Sequence, residues 1–215
     1  MPVSYIVLTP PSAEPLALSD VKSWLRIDFS DDDAMIAMLI SDARRYAENL
    51  LHRSLAPQII QAIIEPEPPP IGNLSGPVDV PYDSWRLAER PDIPLFGNWL
   101  VRLQCPMPPV QSITTVEYQL TRMDVPEWTT LTTPDNNGND TYRLDNYADP
   151  PEVNIFTILA ATRYRLTYQA GYTTLPFDLR RPLFNLISYW YDNRDASSVP
   201  DGIRQQLAER RVIRL

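Results

Sequence analysis

The sequence predicts an α+β protein: a helical bundle, made of a long helical hairpin and C-terminal helices, with an inserted small antiparallel β-sheet and a proline-rich loop. Apolar residues recur at helical spacing near both ends of the chain, β-branched runs lie between them, and many of the 23 prolines cluster in the middle. The predicted units are an N-terminal arm at 1–17, a helical hairpin at 18–56, a β-domain at 57–172 with its proline-rich loop at 66–98, and C-terminal helices and a tail at 173–215 that pack with 18–56.

The N-terminal arm contains one short apolar run, at positions 5–8, which lies between prolines. Such a run is typical of a strand or an extended arm. Two placements remain open: packing on its own domain, or lying as a swapped arm on a neighbouring subunit.

The helical hairpin is predicted from capping residues and apolar spacing. Ser19 is expected to cap a first helix that places Val21, Trp24 and Leu25 on one face. Ser30 and Asp33 fit the pattern that opens a second helix. The apolar stripe of that helix is Ile36, Leu39, Ile40, Ala43, Ala47, Leu50 and Leu51. The expected polar face opposite the stripe carries Arg44, Arg45 and Glu48.

The middle of the chain alternates between strand patterns and turn residues. It predicts one antiparallel sheet of five or six strands. The candidate strands are 58–65, 99–104, 111–121, 128–132 and 163–169, and the weaker candidates are 142–144 and 153–158. The proline-rich loop is expected to expose the aromatic residues Trp85, Phe96 and Trp99, which are typical of interface centres.

Helical spacing returns at 176–196. The predicted stripe is Leu179, Leu183, Leu186, Ile187 and Trp190. Tyr189, Trp190 and Tyr191 are adjacent, so they cover most of the helix circumference and at least one ring should meet a second surface. A further helix is predicted at 203–211, and the tail at 209–215 either docks on another protein or frays.

Composition excludes several functions. The formal net charge of -8 argues against binding nucleic acid by neutralising phosphates, and it suits a surface that DNA passes without specific binding. One cysteine and one histidine cannot form a disulfide framework or a Cys/His zinc site within one chain. No apolar run approaches the roughly 20 residues of a membrane span, and no signal peptide is expected.

The first candidate ion site is the acidic turn formed by Asp28, Asp31, Asp32 and Asp33. A calcium loop needs a glycine at its sixth position and a glutamate at its twelfth, and this turn has neither, so helix capping explains the acids better. His52 suits a helix C-terminus, and Cys105 suits an apolar core. Phosphate-loop and hydrolase motifs are absent from the sequence. We therefore expect no catalytic residue, no metal and no cofactor.

Four segments, taken in order, resemble the head-tail connector, or adaptor, proteins of tailed bacteriophages and gene-transfer particles. They are 18-LSDVKSWLRID-28, 31-DDDAMIAMLISDARRYAENLLHRSL-55, 167-TYQAGY-172 and 176-PFDLRRPLFNLISYWYDNR-194. The resemblance implies a non-enzymatic structural protein of the virion neck, assembled in the host bacterial cytoplasm. It also implies a ring, commonly of twelve copies, that joins the portal to stopper or tail proteins and lets DNA pass.

Three sets of site residues follow from this resemblance. The expected portal-binding residues are Ile203, Leu207, Arg210, Arg211, Val212, Ile213, Arg214 and Leu215. The expected contacts between subunits are Asp31, Asp32, Arg44, Arg45, Glu48, Tyr189 and Tyr191. The expected tail-side loop presents Trp85, Phe96 and Trp99.

Two alternatives remain at the level of sequence. The protein could be another virion component, such as a stopper or tail-completion protein, in which case it would contact tail proteins and not the portal. It could also be a small hydrolase built around His52 and the acidic turn, in which case His52→Ala would abolish an activity.

Overall fold

The computed structural model describes residues 3–66, 101–120, 127–134, 138, 140–156, 161–194 and 198–212. The predicted proline-rich loop, apart from Pro66, lies outside these ranges, as do its aromatic residues Trp85, Phe96 and Trp99. Ile213, Arg214 and Leu215 also lie outside them. The described ranges contain four helices and eight strands in antiparallel sheets, so the predicted α+β class is confirmed.

The four helices are α1 (Leu18–Leu25), α2 (Asp33–Leu51), α3 (Phe177–Asp192) and α4 (Asp201–Ala208). Residues of all four line one apolar core. The predicted stripe of α2 is buried at five positions, and Leu39 and Leu50 pack at the margin of the core. The predicted leucines of α3 and Ile187 are buried in the same core. Because each such side chain contributes about 1.5–3 kcal/mol when buried, this core holds helices from both ends of the chain together.

The helix starts differ from the prediction. Ser19 lies inside α1, whose N-cap is Ala17, and α2 has Asp32 as its N-cap, with Ser30 in the preceding turn. Neither N-cap side chain makes a capping hydrogen bond. Burial of Leu16 and Val21 places the start of α1 against the core. The first residue of α1 is therefore determined by packing against the core and not by a capping side chain.

The strands form two sheets, where the sequence predicted one. The strands are β1 (Val3–Thr9), β2 (Gln58–Ile64), β3 (Val101–Gln104), β4 (Val110–Leu120), β5 (Thr129–Thr130), β6 (Tyr142–Asp145), β7 (Glu152–Ile155) and β8 (Ala161–Ala170). One sheet has the order β1-β2-β8-β4-β5, and the other has the order β3-β7-β6. The prediction missed this division because strand pairing depends on residues distant in sequence, and alternation of side chains shows only that a strand exists.

The two sheets enclose a second apolar core. Alternate residues of β2 and β8 are buried, among them Ile60 and Ala62 on β2 and Leu166 and Tyr168 on β8. The smaller sheet contributes Leu103, Val153 and Ile155 to the same core. The Tyr168 hydroxyl donates a hydrogen bond to the Pro106 carbonyl, which satisfies a polar group inside this core.

The chain crosses between the sheets and the helical core three times: from β1 to α1, from α2 to β2, and from β8 to α3. At the crossing from α2 to β2, the Ser54 N–H donates to the Pro108 carbonyl at 2.9 Å. At the crossing from β8 to α3, the Gly171 N–H donates to the Pro109 carbonyl at 2.8 Å. The last two crossings are thus hydrogen-bonded to the same short segment that leads into β4.

Candidate assembly surfaces

The acidic turn is tied to two helices of its own chain. Lys22 Nζ on α1 lies 2.6 Å from Asp33 Oδ1, and the Tyr191 hydroxyl on α3 donates to Asp32 Oδ2 at 2.6 Å. This hydrogen bond raises the pKa of the Tyr191 hydroxyl. Asp32 and Tyr191 therefore contact each other within the chain, whereas Asp31 is exposed.

The expected outer position of Arg44 and Glu48 is wrong, because both side chains are buried. Arg44 Nη1 donates to Glu48 Oε2 at 2.8 Å, and Arg44 Nε donates to Glu14 Oε2 at 2.8 Å. The other Glu48 oxygen accepts the Leu55 N–H at 2.9 Å. Burial raises the pKa of Glu48, against the opposing effects of this N–H and of Arg44.

The buried network joins three parts of the chain: the segment before α1, the second half of α2, and the crossing into β2. The spacing of α2 held a signal for it. Positions 44 and 48 continue the series of Ile36 and Ile40 at intervals of four, which keeps them on the buried face. Charged side chains usually lie on the outer face of a helix, but the positions of Arg44 and Glu48 lie on the inner face of α2. The structure buries both side chains, in agreement with their positions.

Arg45 and Tyr189 keep the surface positions expected of subunit contacts. Arg45 is exposed on α2, and Tyr189 is half-buried on α3. The rings beside Tyr189 make intramolecular contacts, since Trp190 packs edge-on against Tyr46 with centroids 5.8 Å apart. Trp24 stacks on Phe184 at 5.2 Å.

The sequence interpretation missed a shallow groove between α2 and the end of α3. Its lining combines apolar, aromatic, polar and charged residues: Met35, Met38, Leu39, Asp42, Trp190, Asn193 and Arg194. Met38 is an exposed apolar residue. Methionines adapt their shape to partners, so two of them one turn apart on α2 were a usable signal.

The C-terminal segment is partly built into the protein. Leu207 and Val212 are buried, and Ile203 is half-buried against the helical core. The Val212 N–H donates to the Leu51 carbonyl at 3.0 Å, which caps the end of α2. Arg210 pairs with Asp178 on α3, and Arg211 Nη2 lies 3.5 Å from His52 Nε2. Within the described residues, the expected portal-binding side chains that remain exposed are Arg210 and Arg211.

Arg53 joins the helices, the smaller sheet and the C-terminal segment. Its Nε donates to the Arg210 carbonyl at 2.7 Å, and its Nη2 donates to Asp149 Oδ2 at 2.6 Å. We expect Arg53→Ala to lower the free energy of unfolding by about 1–2 kcal/mol, because hydrogen bonds to a charged group are lost at a partly exposed site. Hydrogen exchange of the Val212 amide should accelerate. Arg143→Ala is the matched control, since Arg143 is an exposed arginine paired with Asp140. Unchanged hydrogen exchange at Val212 in the Arg53→Ala variant would contradict the role of Arg53.

The one cysteine of the chain is buried, and the one histidine lies at the end of a helix. Burial raises the pKa of the Cys105 thiol to about 12, so it stays protonated at neutral pH. His52 occupies the C-cap of α2 in a left-handed conformation, with φ of 55°. In the described parts of the chain, no group of three or more His, Cys, Asp or Glu residues could hold a metal ion. The described helices include none long and apolar enough to cross a membrane.

A family comparison matches the region that holds two of the four segments on which the sequence resemblance rests. Residues 16–82 match the model of the phage gp6-like head-tail connector protein family. The matched segment contains α1, α2 and β2. The resemblance to head-tail connector proteins is therefore confirmed. A search of curated protein sequences found no match.

Solved structures with the same fold come from gene transfer agent (GTA) particles. A chain in the neck of an empty GTA particle computed with C6 symmetry is 15% identical, with a TM-score of 0.64 over 99% of this chain and 97% of that one. A chain in the virion of a native GTA particle is 16% identical, with a TM-score of 0.64 over 98% and 96%. A chain in the neck of a native GTA particle computed with C12 symmetry is 17% identical, with a TM-score of 0.59 over 100% and 97%. The shared fold extends over nearly the whole of each chain.

Proposed function

We propose that this chain is the structural head-tail connector, or adaptor, of a tailed phage or phage-like particle. It forms a ring in the virion neck, joins capsid to tail, and lets DNA pass through the ring. The observation that carries the proposal is the agreement of two independent comparisons: a family match to connectors at 16–82, and a common fold with neck chains along the full length. The proposal includes no enzymatic step.

In this proposal the helices form the bundle that makes up the ring wall. Its support is the single core shared by α1, α2, α3 and α4, which makes these helices one packed block. Exposed Asp31 and Arg45 and half-buried Tyr189 contact the next subunit, with the two opposite charges facing each other. Asp32 and Tyr191 remain paired inside each subunit, as do Arg44 and Glu48. Twelve is the proposed copy number, in keeping with a similar chain in a neck of C12 symmetry.

The proposed partners are the portal on one side and stopper or tail proteins on the other. Residues 213–215, with Arg210 and Arg211, contact the portal, and the loop at 66–98 with Trp85, Phe96 and Trp99 contacts the tail side. DNA passes without specific binding because each copy carries a net charge of -8, which disfavours contact with phosphates. Assembly takes place in the host bacterial cytoplasm.

Native mass spectrometry and electron microscopy of the full chain, alone and with the portal protein, test the ring. We expect a closed ring in at least the second sample, and crosslinks to both the portal and a second copy. A chain that stays monomeric with the portal and is missing from particle necks would refute the proposal. Crosslinks confined to tail proteins would favour a stopper or tail-completion role instead.

Removal of residues 213–215 is expected to weaken portal attachment while leaving the unfolding midpoint unchanged. The truncated chain keeps Val212 as its last residue, because that side chain is buried and its N–H caps α2. The measurement is binding of the truncated chain to purified portal by sedimentation, beside thermal unfolding. Val212→Ala is the comparison variant, expected to lower stability by about 1–2 kcal/mol through lost packing. Equal portal binding by the truncated and full-length chains would exclude a docking tail.

A further inference from the structure

The first strand extends the core face of its sheet beyond the part that is covered. In the pairing of β1 with β2, Tyr5 lies opposite Ala62 and Val7 lies opposite Ile60. Paired residues point to the same side of a sheet, and both β2 partners are fully buried. Tyr5 is nevertheless 37% exposed and Val7 is 44% exposed. The apolar face thus continues onto β1 without a cover among the described residues.

The opposite face and the outer edge of β1 are open as well. Ile6 is 58% exposed and Leu8 is 48% exposed, so four consecutive apolar residues meet solvent. β1 is the terminal strand of its sheet, and its outer edge therefore presents main-chain groups to which the described strands supply no partner. Proteins often protect such an edge with charged side chains, but residues 1–13 contain none.

We propose that β1 is a docking strand for a second copy of this chain, which covers the four exposed apolar side chains from Tyr5 to Leu8 and pairs with the outer edge of the strand. The inference rests on the proposed ring. Identical chains of net charge -8 repel one another, so an added contact between copies, beside the one proposed at Asp31 and Arg45, is least opposed where acidic side chains are absent. Residues 1–13 are such a segment. A basic partner would instead be attracted to the acidic surfaces of the chain.

Ring symmetry determines which part of the neighbour can cover β1. Copies in a ring meet head to tail, so each contact joins two different surfaces. Antiparallel pairing of β1 with β1 would create a two-fold axis and close a dimer. The docking strand therefore lies against another part of the next copy, and main-chain hydrogen bonds provide affinity as in strand addition to a sheet edge.

The test combines one charge substitution with a photo-crosslink in the full-length chain. Ile6→Lys places a charge in the buried contact, and we expect ring formation to weaken by about tenfold or more, the effect of losing one buried isoleucine. Its unfolding midpoint should equal that of the unchanged protein, because Ile6 is exposed within the subunit. Ser12→Lys is the matched control, since it adds the same charge to the same segment outside β1 and should assemble normally.

Photo-crosslinking identifies the occupant directly. Benzoylphenylalanine at position 6, in rings or in particle necks, should give an adduct of twice the 24.6 kDa chain mass. An adduct formed only with a different neck protein would overturn the inference and leave the ring intact. Normal ring assembly by Ile6→Lys would overturn it too. If the unchanged chain neither forms rings with the portal nor enters necks, the proposed function fails, and the docking strand fails with it.

Discussion

Gly171→Ala is expected to lower the free energy of unfolding by more than about 4 kcal/mol, or to prevent accumulation of folded protein. Gly171 has φ of +103°, and an added Cβ would lie 2.0 Å from the Ala56 carbonyl oxygen and 2.5 Å from its carbon. Both atoms belong to the backbone of the crossing from α2 to β2, so neither can move aside as a side chain would. The measurement is urea unfolding followed by circular dichroism, with the soluble fraction compared where the variant does not fold.

Gly202→Ala is the matched control for this substitution. Gly202 lies in α4, and an added Cβ would have no heavy atom within 4 Å. Alanine favours a helix by up to about 1 kcal/mol over glycine, so this variant should be as stable as the unchanged protein or slightly more stable. If the free energy of unfolding of Gly171→Ala lies within about 1 kcal/mol of that of Gly202→Ala, the close approach of Gly171 to the crossing from α2 to β2 is contradicted.

The close approach at Gly171 has a consequence for assembly. It lies where the chain returns from β8 to α3, directly against the crossing from α2 to β2. Gln111 Nε2 also donates to the Gly171 carbonyl at 2.7 Å. The orientation of the helical core relative to the sheet core is therefore set by backbone contact at this point. In the proposed ring, helices make the wall and β1 docks the neighbour, so both surfaces depend on this junction.

Glu48→Ala is expected to destabilise the protein by about 3 kcal/mol. The substitution leaves the Leu55 N–H without its acceptor and leaves buried Arg44 with Glu14 as its remaining carboxylate in the network. When one partner of a buried ion pair is removed, the free energy needed to desolvate the other partner is no longer compensated. Urea unfolding at pH 7 measures the loss.

Arg45→Ala is the control for the buried network, because Arg45 is exposed on the next position of the same helix. Its effect on stability should stay within about 0.5 kcal/mol. The double variant Arg44→Met, Glu48→Leu replaces the pair with apolar groups and should recover much of the lost stability. A Glu48→Ala protein as stable as Arg45→Ala would show that the carboxylate faces water.

The local pattern of residue types was enough to predict the helices and strands of this protein and the protein family that it resembles. The stripe of α2 was predicted because apolar residues at three- and four-residue spacing match the helical repeat. The candidate strands at 58–65 and 163–169 correspond to β2 and β8, and the first was predicted because β-branched residues favour strands. Two of the four segments that carried the resemblance lie at 18–55, and the family match covers them.

Tertiary structure alone decided which elements meet and which charges are buried. Tyr191 donates to Asp32 across 159 positions of sequence, and Arg44 reaches Glu14 across 30. Sequence showed Gly171 only as the end of a strand, whereas the structure places the Ala56 carbonyl against it. Likewise β1 was a strand or a swapped arm until its pairing with β2 placed it at the sheet edge. Contacts between distant residues leave no local periodicity, so the edge position of β1 and the contact of Arg44 with Glu14 become visible only in the folded chain.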